Sequence, residues 1–243
     1  MPSEELEGCA LAGWSGVAYR LFPTRFPPVN VYEGLVANDR YDEVFAIESL
    51  TNPRLRSLER LQRTTGEGSA DPRLQNWNLA PFAYGNPEGT TFFGEKPPCL
   101  ELAFERQTAL AVSVARRQAF MAATRQAAIG LDVRMLCTPV KGLFWDLRAL
   151  GDAPAGLGAA ERRRIGSMMP EGAQGIIYRP PERALGACVA VVDGMALGRS
   201  EQSMHFRYLW DGSSISTLYA FGRTGATIPA AALAGMDDVL AAA

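Results

Sequence analysis

The doubled proline Pro97-Pro98 marks off the stretch that most constrains how this chain folds. A proline fixes φ and offers no backbone donor, so two in a row end whatever regular structure precedes them. Ahead of the pair lie a Gly-ended turn, Asn86-Pro87-Glu88-Gly89, and the run Thr90-Thr91-Phe92-Phe93. After it, residues 99–104 alternate apolar and polar side chains, which predicts a short strand. A long helical segment follows from near Glu105 through Met121. A strand that feeds directly into a helix is a rigid place to mount a site. On a helical wheel Val112 shares a face with Thr108, Ala115 and Ala119, while Leu110, Val114 and Met121 line another. The helix is therefore predicted to be central, with small, inert side chains around Val112. In the strand, Glu101 falls on the opposite face from Leu100, Leu102 and Phe104. That face must be wet or functional, so Glu101 is either a solvent-facing residue or a candidate catalytic acid.

The flanking chain sets up an α+β fold with a mainly antiparallel sheet and flanking helices. Residues 1–15 read as a loose leader, 16–222 as one domain, and 223–243 as an Ala-rich helical tail with Pro229 near its first turn. Strands are predicted at 16–21, 79–84, 131–138, 142–147, 175–178, 187–192, 205–210 and 215–220. Asp211-Gly212 is the turn of a terminal hairpin. Helices are predicted at 41–50, stopped by Thr51-Asn52-Pro53, and at 159–169. Residues 64–71 and 151–158 read as loops rich in small residues.

Composition removes several classes of function. Charged residues make up 21% and the formal net charge is −2, so no basic footprint for nucleic acid exists. The cluster Arg162-Arg163-Arg164 reads as one turn of a solvated helix. Cys9, Cys99, Cys137 and Cys188 are far apart without CxxC spacing, and His205 is the lone histidine. A structural zinc site is not expected from that set. Cys99, Cys137 and Cys188 sit in apolar strand-like runs as buried thiols, which suits a reducing, cytoplasmic setting. The acidic N-terminus lacks the apolar region of a signal peptide, and no run approaches a membrane span.

Familiar catalytic motifs are absent. There is no GxxxxGKS loop, no GxGxxG after a strand and no GxSxG elbow. His205 lies in the alternating run Met204 to Trp210 and reads as a structural histidine. Arg20 ends an apolar strand. It is either a partly buried arginine bonded within the fold or a clamp for phosphate, which its planar fork suits.

Taken together, the pieces resemble the RES domain, the NAD-degrading toxins of bacterial toxin–antitoxin pairs with an Xre-like antitoxin. The resemblance rests on Ala18-Tyr19-Arg20-Leu21, Pro23-Thr24-Arg25-Phe26-Pro27-Pro28-Val29-Asn30, Thr51-Asn52-Pro53-Arg54-Leu55-Arg56, Asn86-Pro87-Glu88-Gly89 and His205 to Gly212. The strand runs Gly175 to Tyr178 and Cys188 to Val191 fit the family's late strands. The resemblance covers roughly residues 16 to 220. It implies an ADP-ribosyltransferase-like α+β fold and cleavage of NAD at the nicotinamide bond. It also implies Arg20 and Arg25 as nucleotide-binding residues.

The departures from the family are chemical. Its arginine after the turn has become Thr91, its strand tyrosine has become Glu101, its helix glutamate has become Val112, and its late serine falls near Pro180. Cleaving the nicotinamide–ribose bond develops oxocarbenium-like charge that a carboxylate stabilises. A valine cannot do this. The resemblance therefore implies a degenerate toxin scaffold that binds NAD or ADP-ribose, with no covalently bound cofactor, or that binds a protein partner. That partner would be an antitoxin-like chain or an active toxin of the family, and family members often form homodimers. The rival reading is a rewired NAD glycohydrolase or phosphorylase in which Glu101 replaces the lost acid and Arg20 holds the phosphates.

Overall fold

Strand β1 (Leu11–Pro23) is long enough to pair with two different strands, and this double pairing shapes the molecule. The structure, a computed structural model, describes residues 5–6, 8–24, 81–82, 86–221 and 225–240. The remaining strands are β2 (Leu100–Ala103), β3 (Ile129–Asp146), β4 (Gly175–Tyr178), β5 (Cys188–Val191), β6 (Glu201–Trp210), β7 (Ile215–Phe221) and β8 (Ala226–Pro229). The main helices are α1 (Arg106–Ala123) and α2 (Ala159–Ser167). The strand order is β1-β2-β5-β4-β3-β6-β7-β8, with an additional β1–β3 pairing. That extra pairing closes β1, β2, β5, β4 and β3 into a ring, from which β6, β7 and β8 extend as an open sheet. Only β3 and β4 pair in parallel among the described strands. The α+β class with a mainly antiparallel sheet, expected from the sequence, is the fold observed.

The ring is filled with side chains. Ala18, Leu100, Leu102, Val140, Phe144, Ile177, Val189 and Val191 meet inside it. Trp14 stacks on Phe104 at 4.0 Å between ring centroids, almost parallel, and packs against this inner cluster. The alternate residues of the same strands face outward and meet α1. Leu110, Val114 and Met121 of the helix pack in one cluster with Ala103, Met135, Tyr178, Ala190, Phe206 and Tyr208. β4 and β5, at the middle of the ring, thus have both faces covered, and all their residues are buried.

Several expectations change. β1 begins at Leu11, inside the residues read as a leader. The strands expected at 131–138 and 142–147 are one strand, β3, running through Pro139. Pro139 is tolerated because its carbonyl accepts from the Gly198 amide at 2.7 Å, on the side away from β1. Its missing donor therefore faces that same side, where the pairing with β6 has already ended at Cys137. The loop at 151–158 contains one helical turn, Ala153–Gly156. The Ala-rich tail is not an α-helix over its described residues. β8 pairs with β7, and a short 3-10 turn (Ala230–Ala234) follows Pro229. So short an alanine run gains too little from propensity to resist tertiary pairing. Gln107 of α1 is buried and donates to the carbonyls of Leu233 and Gly235, which fixes that turn to the helix.

The segments at 41–50, 51–56 and 64–71, and most of 79–84, lie outside the described residues. The α1 boundary agrees with expectation, and Glu105 is the residue before its first turn. The Glu105 carboxylate accepts from Thr108 Oγ1 at 2.7 Å and from the Ala187 amide at 3.2 Å. The Asp211 carboxylate likewise gathers Ser213 and Ser214 to form the β6–β7 turn. No described helix is long and apolar enough to cross a membrane.

Candidate functional site

Glu101 stands opposite Ala190 in the β2–β5 ladder, on the outward face of the ring beneath α1. Its side chain is only 8% exposed. The solvent-facing reading is therefore corrected. Alternation reported correctly that the two faces of β2 differ, but a packed helix covers the polar one. Oε1 of Glu101 accepts from the Thr91 amide at 3.0 Å and from the Tyr178 hydroxyl at 3.1 Å. Oε2 accepts from Arg116 Nη2 at 2.6 Å. Burial alone would push this carboxyl up, but the Arg116 charge and the hydrogen bonds from Thr91 outweigh it and hold the group below its ordinary value. Glu101 is ionised at neutral pH.

Arg116, the ion-pair partner of Glu101, was not singled out by sequence reasoning. It lies one turn beyond Val112 and two beyond Thr108, on the face described from sequence as inert. The i, i+4 spacing carried that signal. Its guanidinium is pushed up first by the Glu101 charge. Half of its side chain is exposed, so the ion pair spans the boundary between core and solvent.

Tyr178 ends β4 on the same rung as Cys188 and is buried. Phe92 meets its ring edge-on at 5.1 Å. Burial, then the neighbouring Glu101, raise the Tyr178 hydroxyl well above its usual range. The Cys99 and Cys188 thiols are raised by the same two causes in the same order. These groups therefore stay protonated, and neither cysteine offers a thiolate nucleophile.

Thr91 ties the cluster together. Its hydroxyl lies 3.3 Å from the Tyr178 hydroxyl and 3.4 Å from Arg116 Nη2. Its carbonyl accepts from Arg162 Nε of α2 at 2.8 Å. Arg162 also donates to the Leu157 carbonyl. α2 comes this close because Gly166 packs on the Phe92 carbonyl, where a Cβ would collide.

The other sequence candidates lie elsewhere. Tyr19 pairs with Ala103, so Tyr19 and Glu101 share the outward face and Arg20 takes the opposite one. The structure does not bring Arg20 and Glu101 together. Arg20 faces Phe22, and its Nε is buried without a hydrogen-bond partner among the described residues. Burial lowers its guanidinium to about 10, so it remains charged at neutral pH. Arg25 lies outside the described residues. Val112 is half-buried against the core, and Pro180 is buried where it begins the turn Pro181–Arg183. His205 stands in β6 with its Nε2 3.3 Å from Gln202 Nε2. Among the described residues, no group of three or more His, Cys, Asp or Glu side chains could hold a metal ion.

The chain is similar to the uncharacterized protein y4oC of Sinorhizobium fredii (strain NBRC 101917 / NGR234). The two are 54% identical over 223 residues, which cover 92% of this chain and 95% of that protein. Among solved structures, it is similar to a chain of the M. tuberculosis MbcT-MbcA toxin-antitoxin complex. That likeness has a TM-score of 0.42 at 13% identity, over 82% of this chain and 90% of that one. No family model matches the sequence.

Proposed function

The chain belongs to the family of protein y4oC, and from the closed arrangement around Glu101 we propose that it is a RES-type NAD-handling scaffold whose cleaving acid has been lost. In this reading it binds a nucleotide-like ligand, NAD or ADP-ribose, without turning it over. The observation that carries the reading is the closed state of Glu101. Its oxygens are taken by the Thr91 amide, the Tyr178 hydroxyl and Arg116, and its charge is neutralised at 2.6 Å. A carboxylate that stabilises an oxocarbenium ion must offer that charge to the substrate. Val112 supplies no substitute, and Pro180 has no hydroxyl to replace the family serine. The four cysteines, all free thiols, suit a reducing cytoplasm. The test incubates purified protein with NAD and follows nicotinamide, beside calorimetric titrations of NAD, ADP-ribose and nicotinamide. Binding without turnover is expected. Nicotinamide release at an enzymatic rate would sink the reading. No binding by any of the three would turn it towards a protein partner, antitoxin-like or a toxin of the family, or a second copy of this chain.

A second reading, a rewired NAD glycohydrolase or phosphorylase, draws on the half-exposure of Arg116. If a ligand phosphate drew Arg116 outward, an ionised Glu101 would be uncovered beneath it. Arg20 cannot hold the phosphates in that reaction, because it lies on the other face of the sheet. Glu101→Gln would then abolish turnover while the fold persists. Equal turnover in that variant removes the role.

A further inference from the structure

The geometry points to a phosphoryl-binding subsite formed by Arg116 and Arg162 on either side of Thr91. The inference rests on the nucleotide-binding reading above and names the residues that take the ligand's anionic part. Two arginines from different helices are anchored on one residue. Arg116 of α1 reaches the Thr91 hydroxyl at 3.4 Å, and Arg162 of α2 reaches the Thr91 carbonyl at 2.8 Å. Each is also held by a second acceptor, Glu101 Oε2 for Arg116 and the Leu157 carbonyl for Arg162.

These anchors use only part of each guanidinium, which carries five N–H donors. Nε and Nη1 of Arg116 and Nη2 of Arg162 have no partner among the described residues. Arg116 is half exposed and Arg162 is half-buried, so solvent reaches the cluster. Both guanidiniums approach atoms of the same threonine, Arg116 its hydroxyl and Arg162 its carbonyl.

The charge balance agrees. Glu101 offsets Arg116, while Arg162 is bonded only to the Thr91 and Leu157 carbonyls, which leaves one net positive charge beside the Thr91 carbonyl. The planar donors suit two oxygens of a phosphate monoester or a pyrophosphate. Their anchoring removes the rotamer freedom that ligand binding would otherwise have to quench.

The test titrates the full chain with ADP-ribose, inorganic pyrophosphate and the phosphate-free nicotinamide riboside, and compares wild type with Arg162→Gln and the double variant Glu101→Gln/Arg116→Gln. The double variant removes both members of the ion pair and so leaves no buried charge alone. A thermal melt without ligand establishes that each variant is folded. Wild type is expected to bind ADP-ribose and pyrophosphate but not nicotinamide riboside. Each folded variant should lose about ten- to a hundredfold in affinity, the range for losing a charge-assisted hydrogen bond. Unchanged affinity in both folded variants overturns the subsite. So does wild-type protein that binds neither phosphorylated probe, or one that binds nicotinamide riboside equally well. NAD turnover by wild type would defeat the degenerate-scaffold reading and leave this subsite standing, so the two failures are distinguishable.

Discussion

Replacing Arg116 with glutamine removes the positive partner of Glu101 while keeping most of the side chain. Taking one partner from a buried ion pair costs about 3–5 kcal/mol, because the remaining charge is left in a poor solvent. Here the cost is smaller. Half of the Arg116 side chain is in water, which screens its charge, and Glu101 keeps the Thr91 amide and the Tyr178 hydroxyl. A loss of about 2 kcal/mol at pH 7 is expected, or about 4–8 °C in Tm for a chain of this length. The pH dependence carries more information than the size. In the wild type the Glu101 carboxyl is depressed, so its contribution is present above the unfolded value of about 4.3 and is lost as pH falls through the folded value. In the variant, burial is no longer opposed by Arg116 and the carboxyl rises. Its protonated form then stabilises the fold at acid pH, and that contribution is lost as pH rises through the new value. The gap between the two proteins should therefore be small near pH 4 and full at pH 7. Urea unfolding at both pH values measures it. Equal destabilisation at the two pH values, or less than about 0.5 kcal/mol at pH 7, would refute the argument that this ion pair governs the site.

Three further substitutions probe the scaffold. Gly166→Ala would drive a methyl group into the Phe92 carbonyl and separate α2 from the Thr91 turn; a loss of about 1–3 kcal/mol is expected in urea unfolding, with Arg162 displaced from Thr91. Phe144→Ala empties the fully buried centre of the strand ring and should cost about 3–5 kcal/mol, measured by thermal melting. Gln107→Leu removes the donor to the Leu233 and Gly235 carbonyls; limited proteolysis should then cut the chain after Ala226 faster than in the wild type, while the ring stays protected.

Much of the fold was legible because local signals and tertiary demands agree. The doubled proline, the alternation at 99–104 and the apolar spacing of α1 place β2 and the helix correctly. Asp211-Gly212 places the hairpin, because an Asp side chain folds its own turn. Where local signals conflicted with pairing, they lost. Pro139 should divide a strand, yet β3 passes through it because the missing donor faces the side where pairing with β6 has ended. The Ala-rich tail should coil into a helix, yet β7 and Gln107 hold it otherwise. For the candidate site, Glu101 was visible as a polar residue out of place in an apolar strand. Arg116 was hidden because its partner is fifteen positions away in sequence and meets it only when α1 lies across β2.

Sequence alone sets the chemistry each side chain can offer: Val112 and Pro180 carry no side-chain oxygen in any fold. Which side chains meet is a matter of tertiary structure. The register of β1 on β2 turns Arg20 away from Glu101, and laying α1 and α2 against the Thr91 turn brings Arg116 and Arg162 to one residue. Strand parity and helix docking fix those directions, and neither is encoded within the local span of residues that each arginine occupies.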